Sequence, residues 1–136
     1  EWVIDSAGGN DTLNGAALSA DMVAFAGGGT DVITGGAGFD FLWGQAGNDT
    51  FVHRSGEGSS NSATPDVIAD FQGAGGGGFP EDDFLFLDVL AGGATFAPAG
   101  GGLAADVWRL TDGAVTEYIK ITGVTSLVLG VDYGFF

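Results

Sequence analysis

The first 52 residues combine acidic and apolar positions with a regular long period. Aspartates recur every nine or ten residues, and a large apolar residue stands two positions after each of them. The five pairs are Asp11 and Leu13, Asp21 and Val23, Asp31 and Ile33, Asp40 and Leu42, and Asp49 and Phe51. An internal repeat of this kind is typical of a solenoid, in which each unit packs against its neighbours.

Glycines precede the aspartate in the best copies, which read GGAGFDFLW over residues 35–43 and GQAGNDTFV over residues 44–52. Glycine is needed where the backbone takes a positive φ or crowds a neighbouring turn. We therefore expect six residues to form a turn and the next three a short strand, with the central apolar side chain pointing inward. Two units then complete one coil, which places Asp11, Asp31 and Asp49 on one edge and Asp21 and Asp40 on the other.

Residues 53–136 lose this period and predict a β-rich cap on the repeats of residues 1–52. Residues 53–61 have the composition of a loop, and residues 66–71 alternate like a strand. Residues 84–90 form a buried strand or a short helix, because periodicity alone does not decide between them. Further strands are predicted at 106–110, 115–121 and 127–131, with a hairpin turn at Asp112-Gly113. A solenoid end needs such a cap, since its open edges and core would otherwise be exposed.

The amino-acid composition argues against several classes of binding partner. The chain has 27 glycines, no cysteine and a formal net charge of −15, with three Lys and Arg in total. So few basic residues argue against nucleic acid and against an anionic membrane surface, and no apolar stretch of about 18 residues is present to span a bilayer. Because the chain has no disulfides, we expect a bound metal to stabilise the fold instead. We interpret Glu1 as an internal cut point of a longer protein, although processing after secretion would give the same start.

Stacked turns bring carboxylates and backbone carbonyls together across a coil spacing of about 4.8 Å. A gap lined by hard oxygens suits Ca²⁺, which takes about six to eight oxygen ligands. Softer metals are disfavoured, because cysteine is absent and the single histidine, His53, lies outside the repeats. The alternative is a metal-free array in which each aspartate hydrogen-bonds its own turn, but it leaves the repulsion among stacked carboxylates unanswered.

Over residues 6–52 the chain resembles the RTX (repeats-in-toxin) proteins, which Gram-negative bacteria export by the one-step type I route. The resemblance implies an all-β, right-handed parallel β-roll that binds two or more Ca²⁺ ions. In that family each ion lies between one turn and the second turn after it, and both turns contribute carbonyl oxygens and an aspartate.

Carried onto this chain, the resemblance implies three metal sites, of which the third uses a turn, residues 16–20, that lacks glycine. The three ligand sets are Ala7, Gly9, Asp11, Ala26, Gly28 and Asp31; Gly27, Gly29, Asp31, Gly44, Ala46 and Asp49; and, on the opposite edge, Ala17, Ser19, Asp21, Gly35, Ala37 and Asp40.

Two later segments add to the resemblance. Residues 66–71 are similar to the segment that follows the last repeat in serralysin-type proteases and alginate epimerase R-modules. The terminal Asp132-Tyr133-Gly134-Phe135-Phe136 resembles the uncleaved signal of type I secretion substrates, and a plain terminal strand is equally compatible. These resemblances imply a secreted, extracellular domain that folds on Ca²⁺ after export through the type I machinery, as part of a larger protein with its own upstream domain.

Catalysis is not expected, since the chain contains neither H-E-x-x-H nor G-x-S-x-G. We expect His53 to be a solvated loop residue rather than a ligand or a base. The rival function is a structural or adhesive module stabilised by Ca²⁺, with Phe79, Trp108 and Tyr118 as candidate exposed aromatic residues.

One more acidic group lies where the repeats meet the cap. Glu57, Asp66 and Asp70 could complete a further Ca²⁺ site against Asp40, and ordinary loop and strand roles explain these residues equally well.

Overall fold

A computed structural model describes residues 1–72, 82–90 and 92–136. Within these ranges the chain is all-β, without a helix, and so contains no helix that could cross a membrane. The strands are β1 (Trp2–Asp5), β2 (Thr12–Asn14), β3 (Met22–Gly28), β4 (Val32–Thr34), β5 (Phe41–Ala46), β6 (Thr50–Arg54), β7 (Asp66–Ile68), β8 (Phe84–Asp88), β9 (Thr95–Pro98), β10 (Val107–Asp112), β11 (Val115–Ile121) and β12 (Tyr133–Phe135).

The first eight strands alternate between two sheets. One sheet has the order β1-β3-β5-β7-β11-β10-β9, and the other has the order β12-β8-β6-β4-β2. In the first half, odd-numbered strands pair in parallel with odd-numbered strands and even-numbered strands with even-numbered strands. In the even-numbered set, Leu13 lies opposite Ile33 and Ile33 lies opposite Phe51. This arrangement confirms the predicted all-β class and agrees with a parallel β-roll.

The parallel pairing continues beyond residue 52, where we place the predicted boundary between repeats and cap. Strand β7 pairs with β5, and β8 pairs with β6. The cap proper begins with β9, β10 and β11, which are antiparallel to one another, and β11 joins β7 in parallel. The boundary itself stays a prediction.

One apolar core runs through the repeats and the cap. In the second sheet the inward side chains of Leu13, Ile33, Phe51 and Leu85 stack in register and are all buried. The β10–β11 hairpin adds further buried side chains, including Leu110, Ile119 and Ile121, to the same cluster. Removing this apolar surface from water is the main favourable contribution to folding.

Several predicted elements need correction or sharpening. Of the strand or short helix predicted at residues 84–90, Phe84–Asp88 form a strand, β8, and the strand predicted at 66–71 is the shorter β7. The hairpin lies where predicted, with Asp112 opposite Val115 and Gly113 at a φ of 62°.

The strand predicted at residues 127–131 is wrong. This apolar run is largely exposed and forms a turn, in which the Val128 amide donates to Asp132 Oδ2 at 2.6 Å and the Asp132 amide donates to the Val128 carbonyl at 2.8 Å. The final strand is instead β12, which pairs with β8.

We expect Ile33→Ala to lower the free energy of unfolding of the calcium-loaded chain by about 2–5 kcal/mol, because it leaves a cavity between the sheets. The neighbouring Val32 is partly exposed on the outer face, so Val32→Ala should cost less than about 1 kcal/mol. Urea denaturation of both variants measures the difference, and equal losses would contradict the described core.

Candidate metal centre

Three predicted ligands form a continuous column along one edge. The Asp11 amide donates a hydrogen bond to Asp31 Oδ1 at 2.7 Å, and the Asp31 amide donates to Asp49 Oδ1 at 2.9 Å. Each carboxylate thus holds the backbone of the aspartate one coil earlier. The structure brings Asp11, Asp31 and Asp49 together on the edge where the repeat spacing places them.

The column has a fourth member that sequence reasoning missed. Asp83 Oδ1 accepts the Asp49 amide at 2.9 Å, and Asp83 Oδ2 accepts the Gln72 amide at 2.8 Å. Its signal is the triplet Asp83-Phe84-Leu85, which repeats the aspartate-x-apolar pattern and sets Leu85 opposite Phe51. The signal was missed because Asp83 follows Asp49 by 34 positions, whereas the earlier members of the column are 20 and 18 positions apart.

Oxygens of this column have the properties of metal ligands. Asp31 is fully buried, and its Oδ2 has no hydrogen-bond partner; Oδ2 of Asp11 is also buried without one. A buried carboxylate oxygen without a donor or a counter-charge is strongly unfavourable. These residues therefore fit a hard cation such as Ca²⁺, whose charge would compensate them.

The turn backbone presents carbonyls to the next coil as the ligand sets require. A Cβ atom at Gly27 would overlap the Ala7 carbonyl, and one at Gly29 would overlap the Gly9 carbonyl. Gly27 and Gly29 have φ values of 106° and 146°, and Ala7 has a φ of 70°. Positive φ at these positions turns successive carbonyls toward the gap between coils.

Some of these carbonyls also hold the turns together. The Ala7 carbonyl accepts the Gly28 amide at 3.1 Å, and the Gly28 carbonyl accepts the Gly9 amide at 2.7 Å. The Ala46 carbonyl accepts the Gly29 amide at 2.8 Å. A carbonyl oxygen has two lone pairs, so one such hydrogen bond leaves room for a cation. Ala26 lies in β3 and Gly44 in β5, and a Cβ at Gly44 would overlap the Asp49 carboxylate.

The predicted stacking of Asp21 on Asp40 is wrong by one residue. Val23 lies opposite Phe41, so that Asp21 faces Phe39 and Asp40 faces Met22. The Phe39 amide donates to Asp21 Oδ1 at 3.0 Å, and the Met22 amide donates to Asp40 Oδ1 at 2.8 Å. The cause is the inward packing of Ala24, which lies opposite Leu42, whereas Val23 is only half-buried.

The turn of the third predicted site also differs from its prediction. The Leu18 carbonyl, between Ala17 and Ser19, accepts the Ala37 amide at 2.9 Å. A Cβ at Gly36 would come within 2.7 Å of that same carbonyl oxygen, and a Cβ at Gly35 would press on the Asp40 carboxylate. Thus Leu18, rather than Ala17 or Ser19, fills the space between these two turns.

His53 is not the solvated loop residue that the sequence suggests. It lies in β6 with its side chain 11% exposed, between two carboxylates. Its Nε2 is 3.2 Å from Glu117 Oε2, and its Nδ1 is 3.7 Å from Asp66 Oδ2. Glu117 is 1% exposed, and its Oε1 also accepts the Gly56 and Gly58 amides.

Of the acidic residues at the junction of repeats and cap, Asp40, Glu57 and Asp66 line one cavity together with His53, and Asp70 does not line it. Asp66 Oδ1 accepts the Asp40 amide at 3.1 Å, whereas Asp70 accepts the Gly44 and Gln45 amides. Glu57 Oε2 is buried without a hydrogen-bond partner. Across residues 1–72, 82–90 and 92–136, no three histidine or acidic side chains form a group that could hold a metal by themselves. A metal here needs backbone carbonyls among its ligands.

Burial raises the pKa of one carboxyl group on each edge, Asp83 in the column and Asp66 on the opposite edge. It raises the pKa of Asp66 to about 7 and that of Asp83 to about 7, from 3.8, although amide hydrogen bonds oppose the change. Between pH 3.8 and about 7, the folded chain without metal therefore binds more protons than the unfolded chain.

In calcium-free solution, we expect the folded fraction to fall as the pH rises from 4 to about 7, because the folded state releases these protons less readily. Asp83→Asn cannot titrate and should flatten that dependence, whereas Asp88→Asn, at an exposed ion pair, should not. Far-UV circular dichroism across this pH range, with a chelator present, measures the effect. A wild-type slope equal to that of Asp83→Asn would contradict it.

We expect Gly47→Ala to be more damaging than Gly56→Ala. Both glycines have positive φ, at 128° and 92°, but a Cβ at Gly47 would overlap the Gly29 carbonyl and a Cβ at Gly56 meets open space. Gly56→Ala should cost about 1–2 kcal/mol of stability from its backbone conformation alone. Gly47→Ala should cost more and weaken calcium binding, as measured by calcium titration and urea denaturation; equal costs would show that the turns do not pack closely.

Comparison with protein families agrees with this geometry. A family model described as the RTX calcium-binding nonapeptide repeat matches four copies, over residues 3–17 and 25–59. The matched residues include Asp11, Asp31, Asp40 and Asp49 and leave out residues 18–24, which contain the out-of-register Asp21. A search of curated proteins finds no match. The repeats of this chain therefore match the RTX calcium-binding nonapeptide repeat family.

Proposed function

We propose that this chain is a calcium-binding RTX domain that folds when it meets Ca²⁺ outside the cell. The observation that carries the proposal is the column of buried aspartates, in which Oδ2 of Asp11 and of Asp31 has no hydrogen-bond partner. A divalent cation between coils would supply the missing charge and ligand contacts.

Arg54 and Lys120 do not supply that charge. Arg54 lies 3.5 Å from Asp88 and Lys120 lies 3.9 Å from Asp106, and both pairs are partly exposed and outside the column. With a net charge of −15, the chain without metal repels itself along the line where its coils must stack. Ca²⁺ binding and coil stacking are therefore linked, and the free energy of binding contributes to folding.

Folding that depends on Ca²⁺ is compatible with export of the unfolded chain. Where free Ca²⁺ is scarce, the charged chain stays extended and can pass a narrow exporter. Extracellular calcium modules typically bind with dissociation constants of about 10⁻⁴–10⁻³ M, so the chain would fold on reaching the outside. We propose type I secretion from a Gram-negative bacterium, with a signal in the last residues, as part of a larger protein; the RTX repeats support this placement.

We further propose that the chain is not catalytic. His53 has carboxylates at both ring nitrogens rather than a nucleophile. The buried Ser55 hydroxyl has no hydrogen-bond partner and so no base to activate it. Protease and esterase assays on the calcium-loaded chain test this, and activity lost in His53→Gln would overturn it.

A structural or adhesive role is the alternative, and a different surface favours it. Trp108 is excluded as an exposed aromatic residue, because it is 4% exposed and its Nε1 donates to the Val124 carbonyl. Tyr118 is half-buried, and Phe79 lies outside the described residues. A half-exposed row of rings, Phe25, Trp43 and Phe41, does lie on β3 and β5, with centroids 4.8 and 5.5 Å apart. Calcium-dependent polymerisation on a sizing column would support this alternative.

We expect the chelator-treated chain to gain β-structure cooperatively on Ca²⁺ titration and not on Mg²⁺ titration. Asp31→Asn should raise the Ca²⁺ midpoint at least about tenfold, since even residues that only orient metal ligands change affinity by about 10–100-fold. Asp5→Asn removes the same charge from an exposed position and should leave the midpoint nearly unchanged. Far-UV circular dichroism above pH 7 measures all three, and a wild-type spectrum rich in β-structure without Ca²⁺ at that pH would overturn the proposal.

A further inference from the structure

The two edges of the repeat region satisfy their carboxylates in different ways. On the Asp11 edge, Oδ2 of Asp11 and Oδ2 of Asp31 are buried without a hydrogen-bond partner. On the opposite edge, Asp40 is equally buried, but both of its oxygens have donors: Oδ1 accepts the Met22 amide at 2.8 Å and Oδ2 accepts the Gly36 amide at 2.6 Å. The protein itself thus compensates Asp40.

Asp66 continues this second edge and is compensated as well. Its Oδ1 accepts the Asp40 amide at 3.1 Å, and the Ser59 backbone also hydrogen-bonds its carboxylate. Its Oδ2 lies 3.7 Å from His53 Nδ1. The imidazole therefore stands where a cation would otherwise face the carboxylate.

Glu117 from the cap fixes that imidazole in place. Its Oε2 lies 3.2 Å from His53 Nε2, and its Oε1 accepts the Gly56 amide at 3.0 Å and the Gly58 amide at 2.8 Å. A carboxylate with this many donors has little rotational freedom, so the ring is held from both sides.

The backbone also opposes a cation between the turns of the second edge. Asp21, which would be the other carboxylate of such a site, is exposed and lies one residue out of register with Asp40. Both oxygens of Asp40 already accept backbone amides, from Met22 and Gly36. A Ca²⁺ ion would have to compete with these amides for the Asp40 carboxylate. A buried amide that loses its acceptor is left unsatisfied, which is unfavourable.

We propose that Ca²⁺ binds along the Asp11–Asp31–Asp49 edge alone, and that His53, held by Glu117, occupies the space beside Asp66 on the Asp40–Asp66 edge. This inference rests on the calcium binding proposed above and assigns it to one side of the molecule. The Asp11–Asp31–Asp49 edge is then stabilised by bound Ca²⁺, and the Asp40–Asp66 edge is stabilised by contacts between the repeats and the cap.

The direct test is an anomalous difference map from calcium-loaded crystals of the wild-type chain, collected at a wavelength where calcium scatters anomalously. We expect peaks bound by Asp31 together with Asp11 or Asp49, and none within 3 Å (about the limit of Ca–O coordination) of Asp40 or Asp66. A peak coordinated by Asp40 or Asp66 would overturn the inference and leave the proposed function intact. A map without any calcium peak would overturn both.

Equilibrium dialysis gives the same answer in solution. Asp31→Asn should bind fewer Ca²⁺ ions than the wild type, whereas Asp40→Asn, which keeps one acceptor oxygen, should bind the same number. Asp21→Asn is the exposed control on the second edge and should also change nothing. Loss of an ion in either Asp40→Asn or Asp21→Asn would contradict the assignment.

A double-mutant cycle tests the role of His53. In saturating Ca²⁺, His53→Gln and Glu117→Gln should each lower the urea midpoint, and the double variant should lose less than the sum, because the two side chains act as one unit. Asp88→Asn, at an exposed ion pair, is the matched charge-removal control and should have little effect. Additive losses, or losses no larger than that of Asp88→Asn, would show that His53 does not serve the second edge.

Discussion

The contact on which the molecule depends is the hydrogen bond from a backbone amide to an aspartate carboxylate one coil further along. It recurs from Asp11 to Asp31, from Asp31 to Asp49 and from Asp49 to Asp83, at 2.7–2.9 Å. The bond sets the register of the parallel strands beside it, and the inward apolar residue two positions later then stacks on its counterpart. The same hydrogen bonds align negatively charged carboxylates where water is excluded, and a cation is needed to compensate their charge.

Cap and repeats are coupled through contacts of a different kind. Strand β11 extends the first sheet beyond β7. Its Glu117 contacts His53 in β6 and accepts the Gly56 and Gly58 amides in the loop after β6. These contacts require no dissolved ion. The end of the repeat region next to the cap therefore has a source of order that the Asp11 edge lacks.

Glycine-poor residues 16–20 explain why the repeat is uneven. The coil from β2 to β4 takes 20 residues and the coil from β4 to β6 takes 18, as the pairs Leu13–Ile33 and Ile33–Phe51 show. In the first sheet the register follows the packing of Ala24 on Leu42, not the position of Asp21. Core packing decides the register here, because a slip of one residue would turn every inward side chain of the strand outward.

The sequence by itself determined what repeats locally. Five aspartate-x-apolar units predicted an all-β parallel solenoid, the edge shared by Asp11, Asp31 and Asp49, and a calcium ligand chemistry, because each unit carries its own turn and strand signals. The hairpin at Gly113 was predicted for the same reason. Only the tertiary structure decided the rest. Asp83 joins the column from 34 positions beyond Asp49, and Glu117 reaches His53 across 64 positions. Such contacts depend on how the cap packs on the repeats. The triplet at Asp83 repeats the local pattern, but its distance along the chain does not place it in the column, and no local pattern around His53 indicates Glu117.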